Sequence, residues 1–498
     1  MKRSFNPAAA FPIAVMTALL GGAAGSARAQ NAPLSAEDRF RRIEQRQDEL
    51  ERQLKAKDAR IAELEGKVKE RAPQAIDGTN YVTVGGFLMK VGVPEPPREA
   101  FPQGTSAIRD YKMFGDYQEA APRVDNIPLD PSGEGFMPLF GTRTAVKLGG
   151  YARVDSIVDF QNNGNPNQFI PSTIPVDGEP GADGGERFQL HAKATRLSLE
   201  LRRAIPGNNK NLRIYYENDF FNNSSASSMD YRLRHFYGQA YNFLVGQTFT
   251  TFMDIDSWPD TVDFQGPNAL INRRQPQVRY TIPIKERQMS LAFAIEQPSV
   301  DLADDGIPED ASRVNHAPDG VVAWRFENKR GHLQASGIVR ALGYELGGAD
   351  DNTELGWGGS LAGALNVGED KLTGGVAYGE GIGRYVNDTS GLGLDAALDT
   401  SGDLRALPVF AAYGGYSHQW TKQWRSTASY GYVRANSEES LGPLAYRYTQ
   451  YASLSLLWQP TKALRMGLEY LYGRRKAEGD AAGDGHRVNL VLKYDLVR

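Results

Sequence analysis

From Val146 to the C-terminus the chain alternates with a period of two, and no other feature constrains its fold as strongly. Leu197, Leu199 and Leu201 lie on one side of an extended segment, while Arg196, Ser198, Glu200 and Arg202 lie on the other. Val278, Tyr280 and Ile282 alternate in the same way with Gln277, Arg279 and Thr281, and Leu464, Met466, Leu468 and Tyr470 with Arg465, Gly467 and Glu469. Such stretches fall at 146–160, 188–204, 211–220, 231–240, 243–250, 276–284, 288–297, 318–327, 331–344, 355–367, 370–383, 409–420, 424–436, 447–459, 464–473 and 486–498, sixteen in all. Their connections alternate between short turns, such as Tyr241-Asn242 and Gly368-Glu369, and long polar loops. An even strand number with short turns at one end and long loops at the other is the pattern of a bacterial outer-membrane barrel, and a soluble β-sandwich would not sort its connections this way. Lipid offers no hydrogen bonds, so a spanning sheet has to close on itself, apolar outside and wet inside. The expected fold is all-β, a 16-stranded antiparallel transmembrane β-barrel, with an N-terminal α-helical coiled coil.

The rest of the composition narrows the alternatives. After residue 30 no run of eighteen apolar residues exists, so no transmembrane helix is expected. Mean hydropathy is −0.47, which fits a barrel because alternating faces average to a hydrophilic value. Lys2 and Arg3, the apolar run Phe11 to Leu20, and Ala27-Arg28-Ala29 read as a secretory signal peptide over 1–29. Its removal would leave 53 basic against 60 acidic residues, a balance that argues against nucleic-acid binding. The chain has no cysteine, so an exported protein of this length is held by its core or by closure of its backbone hydrogen bonds, not by disulfides.

Residues 36–71 carry a heptad repeat with the seam Phe40, Ile43, Leu50, Leu54, Ile61, Leu64 and Val68, and with Gln47 and Lys57 in the two remaining slots. That narrow apolar stripe is buried only if facing helices supply the holes, which predicts a periplasmic coiled coil about 50 Å long. Pro73 ends it, and residues 72–140 are a Pro/Gly-rich connector or small plug with one β-like piece at Tyr81 to Val93. The barrel domain is then 141–498.

Between the fifth and sixth strands lies a long connection, 251–275, with Trp258-Pro259, Gly266-Pro267 and Arg273-Arg274. A structureless loop of this length is usually functional, and in a barrel of this size it can fold inward and narrow the lumen; the alternative is a surface loop. Assigning polar faces to the lumen places thirteen basic residues there, among them Arg153, Arg196, Arg232 and Lys493, against eight acidic ones. A basic pore concentrates anions, and arginine presents a fork suited to carboxylate or phosphate. The candidates for the constriction are Arg273 and Arg274 on the loop with Arg196, Arg213, Arg234 and Arg279 from nearby strands. The loop acids Asp254, Asp256, Asp260 and Asp263 would anchor the loop or repel substrates. For any single arginine, bracing the wall against a lumen acid is the simpler role.

The coiled coil, the Pro-rich connector, the opening strand Phe140 to Tyr151, Gly246-Gln247-Thr248, and the runs Asp263-Phe264-Gln265-Gly266-Pro267 and Arg273-Arg274-Gln275-Pro276-Gln277-Val278-Arg279-Tyr280 resemble the DcaP-like outer-membrane porins. The resemblance covers most of the chain after residue 30; the loop runs are its most specific part, and the opening strand is shared with phosphate-selective porins. It implies a sixteen-stranded homotrimer with periplasmic N-terminal helices that takes up small anions such as dicarboxylates. One departure is the C-terminus: outer-membrane barrels usually finish on an aromatic residue, whereas here the apolar face ends on Arg498.

Catalysis finds little support. The six histidines are scattered with no metal-ligand spacing, and Gly358-Gly359-Ser360-Leu361-Ala362 lacks the closing glycine of a nucleophile elbow. The expectation is a porin that is not an enzyme and has neither cofactor nor metal. Its partners would be outer-membrane lipid, lipopolysaccharide and small anionic solutes. The competing readings are a phosphate- or other anion-selective porin, a structural tether whose coiled coil touches peptidoglycan, and an outer-membrane hydrolase.

Overall fold

The computed structural model describes single residues between 49 and 59, strand residues 81–84 and 87–90, and residues 135–497 except 140–141, 143, 206–210, 223–227, 285–287, 304–310, 347–349 and 437–440. The chain divides into two units, 1–72 and 73–498. In the first, the described residues, such as Arg52, Gln53 and Lys57, are helical and exposed. The seam Phe40, Ile43, Leu50, Leu54, Ile61, Leu64 and Val68 and the leader 1–29 lie outside the described residues. In the second unit, Tyr81–Val84 and Phe87–Lys90 pair as an antiparallel hairpin.

Sixteen long strands then close a barrel. The first eight are β1 (Thr144–Asp159), β2 (Arg196–Ala204), β3 (Asn211–Asp219), β4 (Arg232–Ala240), β5 (Phe243–Phe249), β6 (Arg274–Ile284), β7 (Met289–Glu296) and β8 (Asp319–Asn328). The second eight are β9 (Gly331–Leu346), β10 (Asp350–Val367), β11 (Asp370–Glu380), β12 (Pro408–Gln419), β13 (Trp424–Ala435), β14 (Tyr446–Trp458), β15 (Leu464–Ala477) and β16 (Ala482–Val497). Neighbours in sequence pair antiparallel, and β16 returns to β1 with Arg487 opposite Asp159 and Lys493 opposite Arg153. Closure leaves no open edge, the condition for a sheet in hydrocarbon.

Fifteen of the sixteen alternating stretches each coincide with one strand, and the remaining one, 188–204, covers two. The main differences lie at the long-loop ends, where β10, β15 and β16 run four to five residues beyond the alternation. There the outward positions turn polar and the period-two signal fades although the hydrogen-bond ladder continues. The stretch 188–204 is divided in two: Arg187–His191 pairs with the far half of β1 and β2 with the near half. At the break Thr195 Oγ1 donates to the Arg153 carbonyl and accepts from the Arg153 N–H, filling in for ladder bonds. Gly150 faces the same break at φ 136°, where a Cβ would lie 2.3 Å from the Arg196 carbonyl oxygen. Only glycine takes that conformation and that approach.

Burial follows the pleat. On β15, Leu468 and Tyr470 are 48% and 45% exposed while Glu469 and Leu471 between them are fully buried. Repeated around the wall, this gives an outer band of Leu, Val, Ile and Tyr that would be untenable in water and is stable in hydrocarbon. Trp424 and Trp458 stack at 5.3 Å at the short-turn end beside exposed Trp420, and Tyr470 and Tyr472 mark the other end, as interfacial girdles do.

Candidate functional site

The interior is asymmetric because of the segment between β5 and β6, residues 250–273, which runs along the inner wall. Its first acids reach β8 and β9: Asp254 and Asp256 accept from Arg325 at 3.1 and 2.7 Å, and Asp254 also meets His332 at 2.8 Å. Ser257 then meets Tyr413 of β12, and Asp260 pairs with Arg425 of β13 at 3.5 Å. Val262 packs on Leu457 and Val491, inward residues of β14 and β16. The Asp263 N–H donates to Glu469 of β15, and its carboxylate accepts from Asn489 of β16 and from the Phe169 N–H. On the return, Asn268 donates to Thr449 of β14 at 2.9 Å. Charged and polar groups taken from water must find partners, and here each loop carboxylate finds one on a wall strand.

Two further long loops close on this one. Gln168 donates to Gln265, and Asn387 and Asp388 give their backbone N–H groups to the carbonyls of Leu270 and Asn268. Asp388 lies outside the strands, and burial holds its carboxyl above the usual carboxylate range although Thr449, Ser172 and Tyr446 donate to it. Neither contact has a signal in the sequence, because the partners are distant in the chain.

At the tip of the loop Asp263 Oδ2 accepts from the N–H groups of Gln265 and Gly266, a tight turn with Gly266 at φ 70°. The turn presents Phe264 to the opposite wall. Its ring lies 5.6–5.9 Å from the guanidinium carbons of Arg153, Arg196, Arg232 and Arg234, which come from β1, β2 and β4, and it stacks on Phe221 at 4.5 Å. Lys493 of β16 and Arg196 both sit over Tyr151. The counter-ions are close: Arg153 meets Asp155 at 2.6 Å, Arg234 meets Glu217 and Asp219 at 2.7 and 2.9 Å, and Arg232 meets Asp219 at 2.7 Å. Inward residues left half-buried concentrate on this side, namely Lys147, Tyr151, Ser198, Tyr215, Glu217, Arg232 and Gln239, with Phe264 and Gln265 facing them. Among the described residues, the inner wall from β1 to β4 is therefore the side less completely covered by the loop. Inward from β1 to β4, β15 and β16 stand nine cations (Lys147, Arg153, Arg196, Arg202, Arg213, Arg232, Arg234, Arg465 and Lys493) against six acids (Asp155, Glu200, Glu217, Asp219, Glu469 and Asp495), setting aside the Arg487–Asp159 and Arg475–Glu179 pairs.

Of the six arginines singled out from sequence, the structure gathers Arg196 and Arg234 at Phe264. Arg213 lies farther along β3, bound to Glu200 at 2.7 Å and to the Tyr237 hydroxyl at 2.6 Å. Arg279 supports the root of the loop, donating to Thr251, Gln277 and the Phe249 carbonyl. Arg273 donates to Ser390 at 3.3 Å, and burial with Arg384 nearby holds its guanidinium below its usual range. Arg274 shares the outward parity of Pro276 and Val278 and lies over Phe249 at 5.4 Å. Sequence reasoning did not single out Phe264, and it counted Arg153, Arg232 and Lys493 as lumen residues but not as constriction candidates. An aromatic beside the Gly266-Pro267 turn was the available signal for Phe264. Asp159 and Asp319, counter-ions of Arg487 and Arg340 at 2.6 and 3.2 Å, were also missed because they stand at strand ends. Among the described residues no group of His, Asp and Glu is arranged to hold a metal.

Comparison with known proteins places this geometry. No curated protein matches the sequence. Among solved structures, the outer membrane channel DcaP of Acinetobacter baumannii superposes with a TM-score of 0.63 at 22% identity, covering 72% of this chain and all of that one. The anion-selective porin from Comamonas acidovorans gives 0.46 at 13% identity over 71% of this chain and all of its own. OmpT of Vibrio cholerae gives 0.45 at 12% identity over 72% and 100%. The first shares the barrel fold; the other two are weaker likenesses. The family model described as DcaP outer membrane protein matches residues 132–496, nearly the whole of the closed barrel, and the chain therefore belongs to the DcaP outer membrane protein family.

Proposed function

We propose that this protein is an outer-membrane porin that passes small hydrophilic solutes and favours anions, dicarboxylates among them. The observation that carries the reading is the excess of nine cations over six acids along the inner wall from β15 and β16 through β1 to β4, with Arg153, Arg196, Arg232 and Arg234 gathered around Phe264 at the loop tip. Such a lining raises the local anion concentration and sets charge selectivity. Arginine presents a planar fork suited to a carboxylate, and spaced arginines suit a solute with two. The likeness to the outer membrane channel DcaP agrees with a channel.

The remaining assignments belong to the same proposal: a leader at 1–29, a periplasmic coiled coil at 36–71 that assembles a homotrimer, a connector or small plug at 72–140, and a barrel at 141–498 with its long loops outside the cell. The protein acts by passive diffusion, without catalysis or cofactor. Reversal potentials across planar bilayers in a salt gradient test it. The expected result is stepwise conductance with anion preference, and a preference for cations would refute the selectivity.

A further inference from the structure

At the long-loop end, the outward-facing basic side chains described on the sixteen strands lie, apart from Arg274 of β6, on β13 and β15, with Tyr448 and Gln450 of β14 between them, while Glu345 of β9 and Asp484 of β16 are outward acids. On β13 to β15 the cross-strand register builds ordered rows: Arg434, Tyr448 and Lys476 stand opposite one another, and the row one step deeper holds Tyr432, Gln450 and Arg474. Tyr472 lies one step below Arg474 on β15, opposite His486. Successive outward residues rise about 6.6 Å along a strand and neighbouring strands lie about 4.8 Å apart, so the three cations lie within one lipid headgroup of each other. The ring pair Tyr432 and Tyr448, 5.7 Å apart, marks the boundary between hydrocarbon and headgroups that aromatic belts occupy. On the adjoining sector, from β16 round to β1 and 187–191, the outward positions at this end include Val158, Phe188 and Leu190, all exposed and apolar.

Lys476 donates to the Asp480 carbonyl at 2.5 Å, and the ionic contacts of the cations are otherwise long. Arg474 reaches Asp484 at 3.4 Å, Lys476 reaches Asp480 at 3.2 Å, and the neighbouring Arg447 reaches Asp480 at 3.2 Å and Glu478 at 3.9 Å. Arg434, exposed, gives its Nε to Asn436. Exposed pairs of this kind contribute little and exchange readily for a stronger acceptor. A phosphate is such an acceptor, and polybasic patches at a membrane surface attract anionic headgroups.

We propose that this patch on β13 to β15 is a docking site for a phosphorylated glycolipid of the outer leaflet, whose phosphates meet Arg434, Arg474 and Lys476 while its acyl chains lie on the apolar wall below. The inference rests on the porin reading through the orientation of the long loops. The test uses the full chain reconstituted in phosphatidylcholine nanodiscs and titrated with bis-phosphorylated lipid A and with dephosphorylated lipid A. The phosphorylated form is expected to bind at least about tenfold more tightly, and Arg434→Gln/Arg474→Gln/Lys476→Gln to remove that difference. Lys329→Gln/Arg330→Gln, at the short-turn end, is expected to leave it intact. Equal binding of the two lipids, or an unchanged preference in the triple variant, overturns the proposal. Should the triple variant fail to fold, Arg434→Gln alone is expected to weaken the phosphorylated lipid by about threefold, and no change there overturns the proposal as well. Orientation is read separately: the chain has no cysteine, so Ser401→Cys in an exposed turn of the long loop before β12 is expected to react on intact cells with a membrane-impermeant maleimide. No labelling removes the premise, whereas labelling with no lipid preference removes the docking site alone.

Discussion

Two halves of the same inner wall use the same residues in opposite ways. From β8 round to β16 the inward side chains are nearly all buried under the 250–273 loop and the long loops that close on it, and cations and donors on the wall are matched to the loop acids: Arg325 to Asp254 and Asp256, Arg425 to Asp260, and the Asn489 amide to Asp263. From β1 to β4 the wall carries an equally dense set of arginines, but only the loop tip reaches it, and Lys147, Tyr151, Glu217 and Arg232 stay partly open. The difference teaches that an inward arginine in a barrel is either a fastening or part of the passage. What decides is whether a loop carboxylate from elsewhere in the chain arrives to cover it.

The comparison is broken most severely by Arg325→Met. Three carboxylates, Asp254, Asp256 and Glu327, lose their buried cation, at a cost of about 3–5 kcal/mol. Heat-modifiable gel migration is expected to shift to lower temperature, and single-channel traces to become noisier as the loop detaches. An unchanged melting point would mean that the covered wall does not hold the loop. On the partly open wall, Lys147→Ser/Arg232→Ser is expected to lower the anion-to-cation permeability ratio roughly threefold with a much smaller change in thermal stability, because Asp219 keeps Arg234. Loss of stability equal to that of Arg325→Met would erase the distinction between the halves. Phe264→Ala removes the ring but none of the charge, so conductance is expected to rise by up to about twofold with the sign of selectivity kept, measured in the same bilayers. The smallest effect is expected for Arg273→Ala, because this arginine lies at the loop root beside Ser390, away from the Phe264 tip. Permeability ratios are expected to stay within roughly a fifth of the parent, and a large drop would move the constriction toward the entrance.

Particular elements show how far the sequence could be read. Leu468, Glu469, Tyr470 and Leu471 declare their faces unaided, because the pleat sends neighbours to opposite sides and lipid accepts only one kind. The same rule located the sixteen long strands of the barrel. It gave no warning that Arg187–His191 and β2 are separate strands, since the alternation crosses the break without a phase change. It placed Arg196 and Arg234 inward, and they stand together at Phe264. It could not separate them from Arg279, which has the same parity and supports the loop root, nor show that the half-buried inward residues gather along β1 to β4.

Strand number, barrel class and the sorting of apolar from charged side chains were thus determined by sequence alone, because period-two alternation is a local property that each strand carries in itself. Tertiary structure alone decided the course of the 250–273 loop, and with it which arginines face water. That course is set by ion pairs and hydrogen bonds between residues as far apart as Asp263 and Glu469. Carboxylates entering a barrel settle where a cation or a donor is already fixed, and only the closed wall brings those partners within reach.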